Sequence, residues 1–491
     1  MVKEFYDYQE RDINSIFETL QSGTSKKLLY QLPTGGGKTV VFSEIARRFM
    51  EQSTQTVTIL THRKELCKQT STTLKNLGVE NSVIKSSTTY FDKECSCYVA
   101  MVETLKNRIK KKKIKVNNVG LVIIDEAHHN SFSKLLTKFK NAFVIGVTAT
   151  PFSATLNKPM KRHYDSLLVG ESISTLIKEG FLAKPKSVQF NVELNSLKTG
   201  IHGDYTVSSS NSLYSSEPML DLVRSAYQNH SVGKKTLIFN NGIATSRKIF
   251  DVFTASEIPI KHLDNQTSRE ERKETLKWFK KTKGAVLTSV SILTTGFDEP
   301  SVQTVILNRA TTSITLYHQM IGRGARKLPN KKSFNIIDLG NNIERFGPWE
   351  EPVDWKFAFE HPEAFAQQLQ ASVSLNSGIT SPVLTLELRA KFPKTLEMSF
   401  DVEGHFQEAI DLGKKHKTVI QDSIRQHTKM CLENAETVSE AFKLAEALIP
   451  EIEWRIKQYV GCLERASKSY KEWLLEDYNF RLHVMIRRLF S

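Results

Sequence analysis

This sequence has no apolar run approaching the ~20 residues that a bilayer-spanning helix needs. Its opening, MVKEFYDYQERDI, lacks the basic, apolar and small-residue zones of a secretory leader. The expected setting is therefore cytoplasmic, nucleoid-associated or, for a viral protein, the host cytoplasm, with no membrane partner. Cysteine is scarce, five in 491 residues and odd in number, which argues for a reducing compartment and against a disulfide framework. Cys95 and Cys97 stand in C-x-C spacing without a second pair, so strand cysteines are a better reading than a zinc site. No short-period repeat is present.

What is plentiful is positive charge. Lys and Arg number 68 against 53 Asp and Glu, a formal net charge of +15. Residues 381–491 hold 17 of each sign, so the whole excess lies in residues 1–380. A polyanionic partner is the natural expectation for that part, and a generic basic surface is the alternative. The length exceeds one ordinary domain and suits about three, and 40% apolar residues suffice for several packed cores.

In the first third, KKLLYQL, TVTILT, YVAMV, LVIID and FVIGVT read as strands, rich in β-branched and aliphatic residues. Val41, Ile45 and Phe49 recur every four residues, as one helix face packed on a sheet would. Between the first strand and that helix lies QLPTGGGKTV, a strand-to-helix turn where backbone N–H groups can meet an anion. The usual phosphate loop is G-x-x-x-x-G-K-[ST], but Leu32 occupies the place of its first glycine. GDYTVSSSNSLYSSEP (Gly203 to Pro218) reads as a connection, after which alternation restarts with KTLIFN, IPIKHLD, AVLTSV, VQTVILN and FNIIDL. The expected organisation is α/β, with two tandem parallel-sheet domains at residues 1–190 and 191–350 facing one cleft. A C-terminal α-helical domain at 351–491 follows, with about three helices from Glu403 to Leu489.

Two carboxylates, Asp125 and Glu126, close the strand LVIID, at the end where α/β folds place ligands. Asp125 can hold Mg²⁺, directly or through water, while Glu126 orients and deprotonates a water. Lys38 neutralises terminal phosphates and Thr39 offers a metal-directed hydroxyl. Thr148 and Thr150 follow the strand FVIGVT. In LYHQMIGRGARK, Gln319, Arg323 and Arg326 can face a cleft, with Gly322 and Gly324 permitting close approach. Guanidinium groups suit the charge that spreads over a phosphoryl group in transfer.

In this order the motifs YQ, PTGGGKT, THRKELCKQ, AMVETL, DEAH, TATPF, TLIFNN, LTTGFDEP and QMIGRGAR resemble a superfamily 2 helicase motor of the DEAH-box branch near RadD and the XPB-like proteins. The resemblance runs from about Phe5 to Asn342. It implies two RecA-like domains, with ATP and Mg²⁺ as cofactors. Family members commonly carry PTGxGKT, so Pro33, Thr34, Gly35, Gly36, Gly37, Lys38 and Thr39 form the phosphate unit and Leu32 completes the strand. By the same carry-over, Gln9 reads the adenine edge, and Thr39 and Asp125 serve the metal. Lys38, Glu126, Gln319, Arg323 and Arg326 serve catalysis, the two arginines as fingers. His128, Thr148 and Thr150 couple nucleotide state to domain movement. Gly296 and Asp298 resemble a segment that contacts ATP, and Thr295 lies on its nucleic-acid side. Thr61, His62, Arg63, Thr104 and Asn240 resemble contacts to a sugar–phosphate backbone. Tyr6 replaces the arginine that relatives often have before YQ, which leaves adenine recognition looser or dependent on stacking.

The activity implied is an ATP-dependent helicase or translocase on single-stranded and branched duplex DNA, largely independent of sequence, in repair, recombination or replication. An RNA helicase, a non-hydrolysing scaffold that uses ATP only as a clamp (against which Lys38, Glu126 and both arginines argue) and the motor subunit of a restriction or defence complex are the alternatives. No nuclease-like carboxylate cluster with a neighbouring lysine is evident, so cutting would need a partner. RIKKKKIK, Arg108 to Lys115, is either a DNA patch or a solvated loop. The charge-balanced C-terminal helices suit a wedge or branch-recognition element, or a docking site for a protein partner.

Overall fold

Strands buried along nearly their whole length must be covered on both faces, which is the condition of a parallel sheet wrapped by helices. Lys27–Gln31, Thr56–Thr61, Val119–Asp125 and Phe143–Thr148 have this pattern. The computed structural model describes residues 5–88, 92, 94–111, 114, 118–129, 132–153, 159–200, 203–290, 292–294, 297–376, 388, 391–395, 398, 400, 402–411, 413–463 and 467–490. Its first sheet has seven parallel strands in the order Ser82–Ile84, Cys97–Met101, Thr56–Thr61, Val119–Asp125, Phe143–Thr148, Lys27–Gln31, Ser166–Val169. The second has six, also parallel: Ile260–Leu263, Val286–Val290, Thr236–Asn240, Thr304–Asn308, Ser333–Asp338, Lys184–Gln189. The expected pair of parallel-sheet domains is present.

Register decides which loops meet. Gln31 lies opposite Thr148, and Asp125 opposite Val147. The phosphate turn, the paired carboxylates and the TAT segment therefore emerge side by side at one edge of the first sheet. The helix Lys38–Gln52 starts at once because Gly37 adopts φ +89°, a left-handed value that reverses the chain between strand and helix.

Three expectations change. The strand Lys184–Gln189 precedes the expected boundary at 190 yet pairs with Ser333–Asp338, so the chain enters the second sheet between Val169 and Lys184. The run Gly203–Pro218 is more than a connection: Val207–Tyr214 is a helix capped by Thr206, with Ser209, Ser210 and Tyr214 buried. Asp204 just ahead of it binds Arg309, Thr311 and Thr312. Small hydroxyls that satisfy one another gave the sequence a loop-like composition. The third change concerns the boundary at 351. Trp355, Ala358 and Phe365 join a small core with Phe152 and Ile314, and Leu167 and Val169 pack against it. Residues through Leu369 thus belong to the motor unit, and a second compact unit begins at Gln370.

In that second unit five helices occur among the described residues between Val402 and Phe490, where about three were expected. Ile410 is 52% exposed on the helix Val402–Asp411, and Gly413 at φ +64° separates it from the helix that carries Ile420. None of the described helices is long and apolar enough to cross a membrane. The unit's core surrounds a fully buried ion pair, Arg455 Nε to Glu451 Oε1 at 2.9 Å. Arg455 also donates to Ser423 Oγ, Gln426 Oε1 and the carbonyl of Met398. Ser423 in turn meets Tyr478, whose hydroxyl lies 2.9 Å from His427 Nδ1.

Removing one partner of such a pair strands a buried charge, at a cost of about 3–5 kcal/mol. Arg455→Ala is expected to speed amide hydrogen exchange in Thr418–Asn434 by about 10²- to 5 × 10³-fold, a range that follows from that cost. The double change Arg455→Met with Glu451→Gln should cost much less. Unchanged exchange in the single variant would show that the pair does not hold these helices together.

Candidate active site

The phosphate turn is built for close approach. A Cβ on Gly37 would come within 2.5 Å of Gln9 Nε2, and one on Gly322, from the second domain, within 2.6 Å of the Thr34 Cβ. The two domains therefore touch across the loop at a point where only a glycine fits. Lys38 turns its ammonium back onto the carbonyls of Leu32 (3.2 Å) and Pro33 (3.4 Å). Burial lowers its pKa, while Glu126 and Asp125 oppose that shift.

Asp125 is buried, and Glu126 follows it at φ +52°, a backbone value uncommon outside glycine. The turn is fixed by Glu126 N–H donating to Asp125 Oδ1 (3.0 Å) and Ala127 N–H donating to the carbonyl of Val147 (2.9 Å). Burial, helped by the Glu126 charge, pushes Asp125 up to about 7, against the pull of Lys38. Burial would raise Glu126 too, but the charges of Lys38 and Arg323, joined by that of His128 only when its ring is protonated, hold it below the usual carboxylate range. Its Oε2 atom is buried, makes no hydrogen bond among the described residues and stands 3.5 Å from His128 Nδ1. An ionised carboxylate with an oxygen free of hydrogen bonds is suited to take a proton from a water.

Mg²⁺ is held by one or two protein ligands together with phosphates and waters. Thr39 and Asp125 line the same cavity and would hold it, and the ion would neutralise phosphate charge there.

The second domain contributes the helix Ile314–Gly322 and the turn after it. Gln319 Nε2 lies 3.2 Å from His128 Nε2, and His128 Nδ1 lies 3.0 Å from Thr148 Oγ1. Burial pulls His128 down to about 4, so the ring is neutral near pH 7. The consistent tautomer keeps the proton on Nδ1 for Thr148 and leaves Nε2 to accept from Gln319. Thr148 passes the chain on to the carbonyl of Thr150. Arg323 donates to the carbonyl of Phe297 (2.6 Å) and Arg326 pairs with Asp298 (2.6 Å). Burial brings Arg323 to about 10, still cationic at neutral pH. Lys38, Thr39, Asp125, Glu126, Arg323 and Arg326 share one cavity of ≈ 400 Å³.

At the far end of this cavity stand two aromatic rings. Tyr6 is half-exposed, and its centroid lies 4.3 Å from that of Phe181. Gln9 and Tyr8 donate to the carbonyl of Gly36, which ties this corner to the phosphate turn. Phe181 was not foreseen, since GFLAK has no motif to mark it. His129 was missed as well: its ring lies 4.3 Å from His128 and 5.2 Å from His62.

The expected nucleic-acid residues divide. Arg63 donates to the carbonyl of Ile292 in the second domain (3.1 Å), and His62 and Thr104 are partly exposed. Thr61 is fully buried with its hydroxyl 2.9 Å from Cys67 Sγ, so it does not reach a ligand. Asn240 is fully buried too, donating to Thr288 and accepting from Asn308, and braces the sheet instead of touching a strand of nucleic acid. The same polar ladder contains Ser246 Oγ at 2.8 Å from His262 Nδ1, and His262 Nε2 at 3.0 Å from Asp264. That resembles a hydrolase triad, but Ser246 is fully buried and its hydroxyl also meets Thr288. Thr295 and Gly296 lie outside the described residues, as do Lys112, Lys113 and Lys115 of the lysine run. A second cavity of ≈ 840 Å³ adjoins the first, where Arg63 and Lys68 of one domain face Arg272, Lys277 and Lys280 of the other.

Comparison with known proteins matches this arrangement in two parts. Residues 2–153 match the family described as type III restriction enzyme, res subunit, and residues 218–327 match the helicase conserved C-terminal domain. The protein named for an ATP-dependent helicase, IRC3 of Saccharomyces cerevisiae, is 31% identical over 355 residues, covering 68% of this chain and 51% of its own length. A 51.5 kDa protein of a Lactococcus phage is 28% identical over 336 residues, covering 68% and 70%. The chain thus spans about half the length of the yeast relative. A fragment assigned to an HsdR subunit of a type I restriction enzyme from Vibrio vulnificus shares the fold, with TM-score 0.56, 22% identity, and coverage of 70% of this chain and 65% of that one.

The paired rings supply a test of where a base would sit. Phe181→Ala is expected to weaken ATP binding about tenfold, within the 1–3 kcal/mol typical of base–aromatic stacking. Binding of inorganic triphosphate should be unchanged. Equal losses for both ligands, read by calorimetry, would remove the rings from base recognition.

Proposed function

We propose, from the premise that this chain carries both halves of a superfamily 2 helicase motor, that it is an ATP-dependent DNA helicase or translocase. The observation that carries the reading is Glu126, held ionised in a left-handed turn with a buried carboxylate oxygen that makes no hydrogen bond, beside Lys38 and the arginines of the facing domain. Glu126 takes the proton of the attacking water. Lys38, Arg323 and Arg326 stabilise charge on the transferred phosphoryl group. The chain Gln319–His128–Thr148 conveys the state of the site from one domain to the other.

The basic second cavity, with residues from both domains, supports a polyanion that is gripped as the cleft closes and released as it opens. Contacts through Arg and Lys favour the backbone over the bases and make binding largely independent of sequence. The motif order supports placement near the RadD-like and XPB-like motors, with branched or forked DNA in repair, recombination or replication as the setting. A second reading, a motor subunit of a restriction or defence complex, is favoured by the match of residues 2–153 to a restriction subunit family.

Glu126→Gln should bind ATP nearly as wild type while turnover falls to background, because an amide keeps the shape but takes no proton. Arg323→Ala is expected to cut stimulated kcat by about 10³-fold with a small effect on nucleotide binding. Near-normal turnover in either variant would displace that residue from the mechanism. ATPase rates with single-stranded DNA, fork, Holliday junction and RNA, measured together, separate the DNA from the RNA reading. Nucleic-acid binding should fall with salt at roughly −0.7 in log–log slope for each single-strand phosphate neutralised. A flat response would contradict a backbone-tracking groove.

A further inference from the structure

The helix Ile314–Gly322 leads directly into the turn that carries Arg323 and Arg326, so whatever sets its start helps to set the reach of both arginines. Its own first turn has no acidic residue, where a negative charge would favour the unpaired N–H groups. The charge comes instead from Asp204, 108 residues before Thr312 in the chain, whose Oδ1 accepts from the Thr312 N–H at 2.9 Å. Its Oδ2 accepts from Thr311 Oγ1 (2.9 Å) and from the buried guanidinium of Arg309 (3.0 Å). Thr311 Oγ1 in turn accepts from the Ser313 N–H (3.1 Å), and Ser313 caps the helix by accepting from the Leu316 N–H. One hydroxyl therefore links the carboxylate to the first turn of the helix.

We propose that Asp204 is a positioning residue for the arginine fingers, acting through Thr311 on the start of the helix that precedes them. The proposal rests on the reading of Arg323 and Arg326 as fingers. Asp204 is a fixed anchor: Asn241 donates to the carbonyl of Tyr205 (3.2 Å), and Arg345 donates to the Tyr205 hydroxyl (2.6 Å). The opposite side of the turn is held by Asn342, which accepts from the Thr311 N–H and donates to the carbonyl of Arg309. Between these two grips the turn has little freedom, and loss of one lets the helix start shift. Neither Asp204 nor Thr311 lines the nucleotide cavity. Their loss therefore bears on the step that the arginines assist and leaves the binding of ATP alone. The polar segment after Gly203 serves the reaction in this way without touching it.

Thr311→Val in the full chain tests the link, since it removes the hydroxyl and leaves the pair of Asp204 with Arg309 in place. With saturating single-stranded DNA, kcat is expected to fall about 10- to 100-fold, the range for misplacement by a change remote from the chemistry. The KM for ATP should be unchanged. Amides of Ile314–Gly322 should exchange about tenfold faster, as for one lost hydrogen bond, while those of Thr236–Asn240 stay as in wild type. Thr311→Ser, which keeps the hydroxyl, should restore both readings. Asp204→Asn should lower kcat at least as far, because its amide turns a donor towards Thr311 and Arg309. A wild-type kcat in Thr311→Val, a rise in KM in its place, unchanged exchange in the helix, or a loss that Thr311→Ser shares each overturns the proposal. Arg323→Ala, measured alongside, separates it from the reading beneath it. If Arg323→Ala loses turnover and Thr311→Val does not, only the positioning role falls. Near-normal turnover in Arg323→Ala removes the finger and the positioning role together.

Discussion

The contact on which the site depends is the one between Gln319 and His128, 3.2 Å apart across the cleft. It exists because His128 is neutral: buried beside Glu126 and two other histidines, it has lost the proton that would make Nε2 a donor. A neutral ring can accept from the second domain with one nitrogen and donate to Thr148 with the other. The threonine that ends the neighbouring strand is thereby held by one side chain that also senses the other domain.

The same cleft is braced elsewhere by contacts of different kinds. Gly322 lies against Thr34 with no room for a Cβ, and Arg63 reaches the carbonyl of Ile292. Behind the site, Phe152, immediately after TATP, shares an apolar cluster with Ile314, at the start of the helix bearing Gln319, and with Trp355 and Phe365. Trp355 also meets His318 edge-on at 5.7 Å. Polar links at the front of the cleft can exchange partners as ligands come and go, whereas this apolar cluster packs residues of both domains against the segment after Trp355.

The charge excess finds a physical place in this arrangement. Arg63, Lys68, Arg272, Lys277 and Lys280 surround one cavity, where Glu65, Asp298 and Glu299 offset only part of their charge. Burial lowers the pKa of Arg63, and Arg272 adds to that shift, a cost that a phosphate between them would relieve. Arg326 meanwhile pairs with Asp298, so a residue expected to serve the nucleotide is bound to one expected to act as a finger.

Much of this was legible in the sequence because it is local. A buried strand followed by PTGGGKT or by Asp-Glu states both the element and the chemistry at its end, and two rounds of alternation state two sheets. Other features were hidden because they arise from pairing between distant segments. Nothing in TLIFN distinguishes an asparagine that faces a ligand from one enclosed by Thr288 and Asn308, and Thr61 is occluded by Cys67, six residues later in the chain. Phe181 and His129 join the site through neighbours far away in sequence, and Ser- and Tyr-rich residues after Gly203 pack because Arg309 and Thr311 wait for Asp204. The C-terminal helices were legible as helices but not in number, since breaks at Gly413 and after Asn434 lie within runs of similar composition. The sequence by itself determined the two sheets, the phosphate turn, the carboxylate pair and the arginines. The tertiary structure decided which polar side chains remain free to act, because burial and saturation of hydrogen bonds depend on what other segments bring alongside.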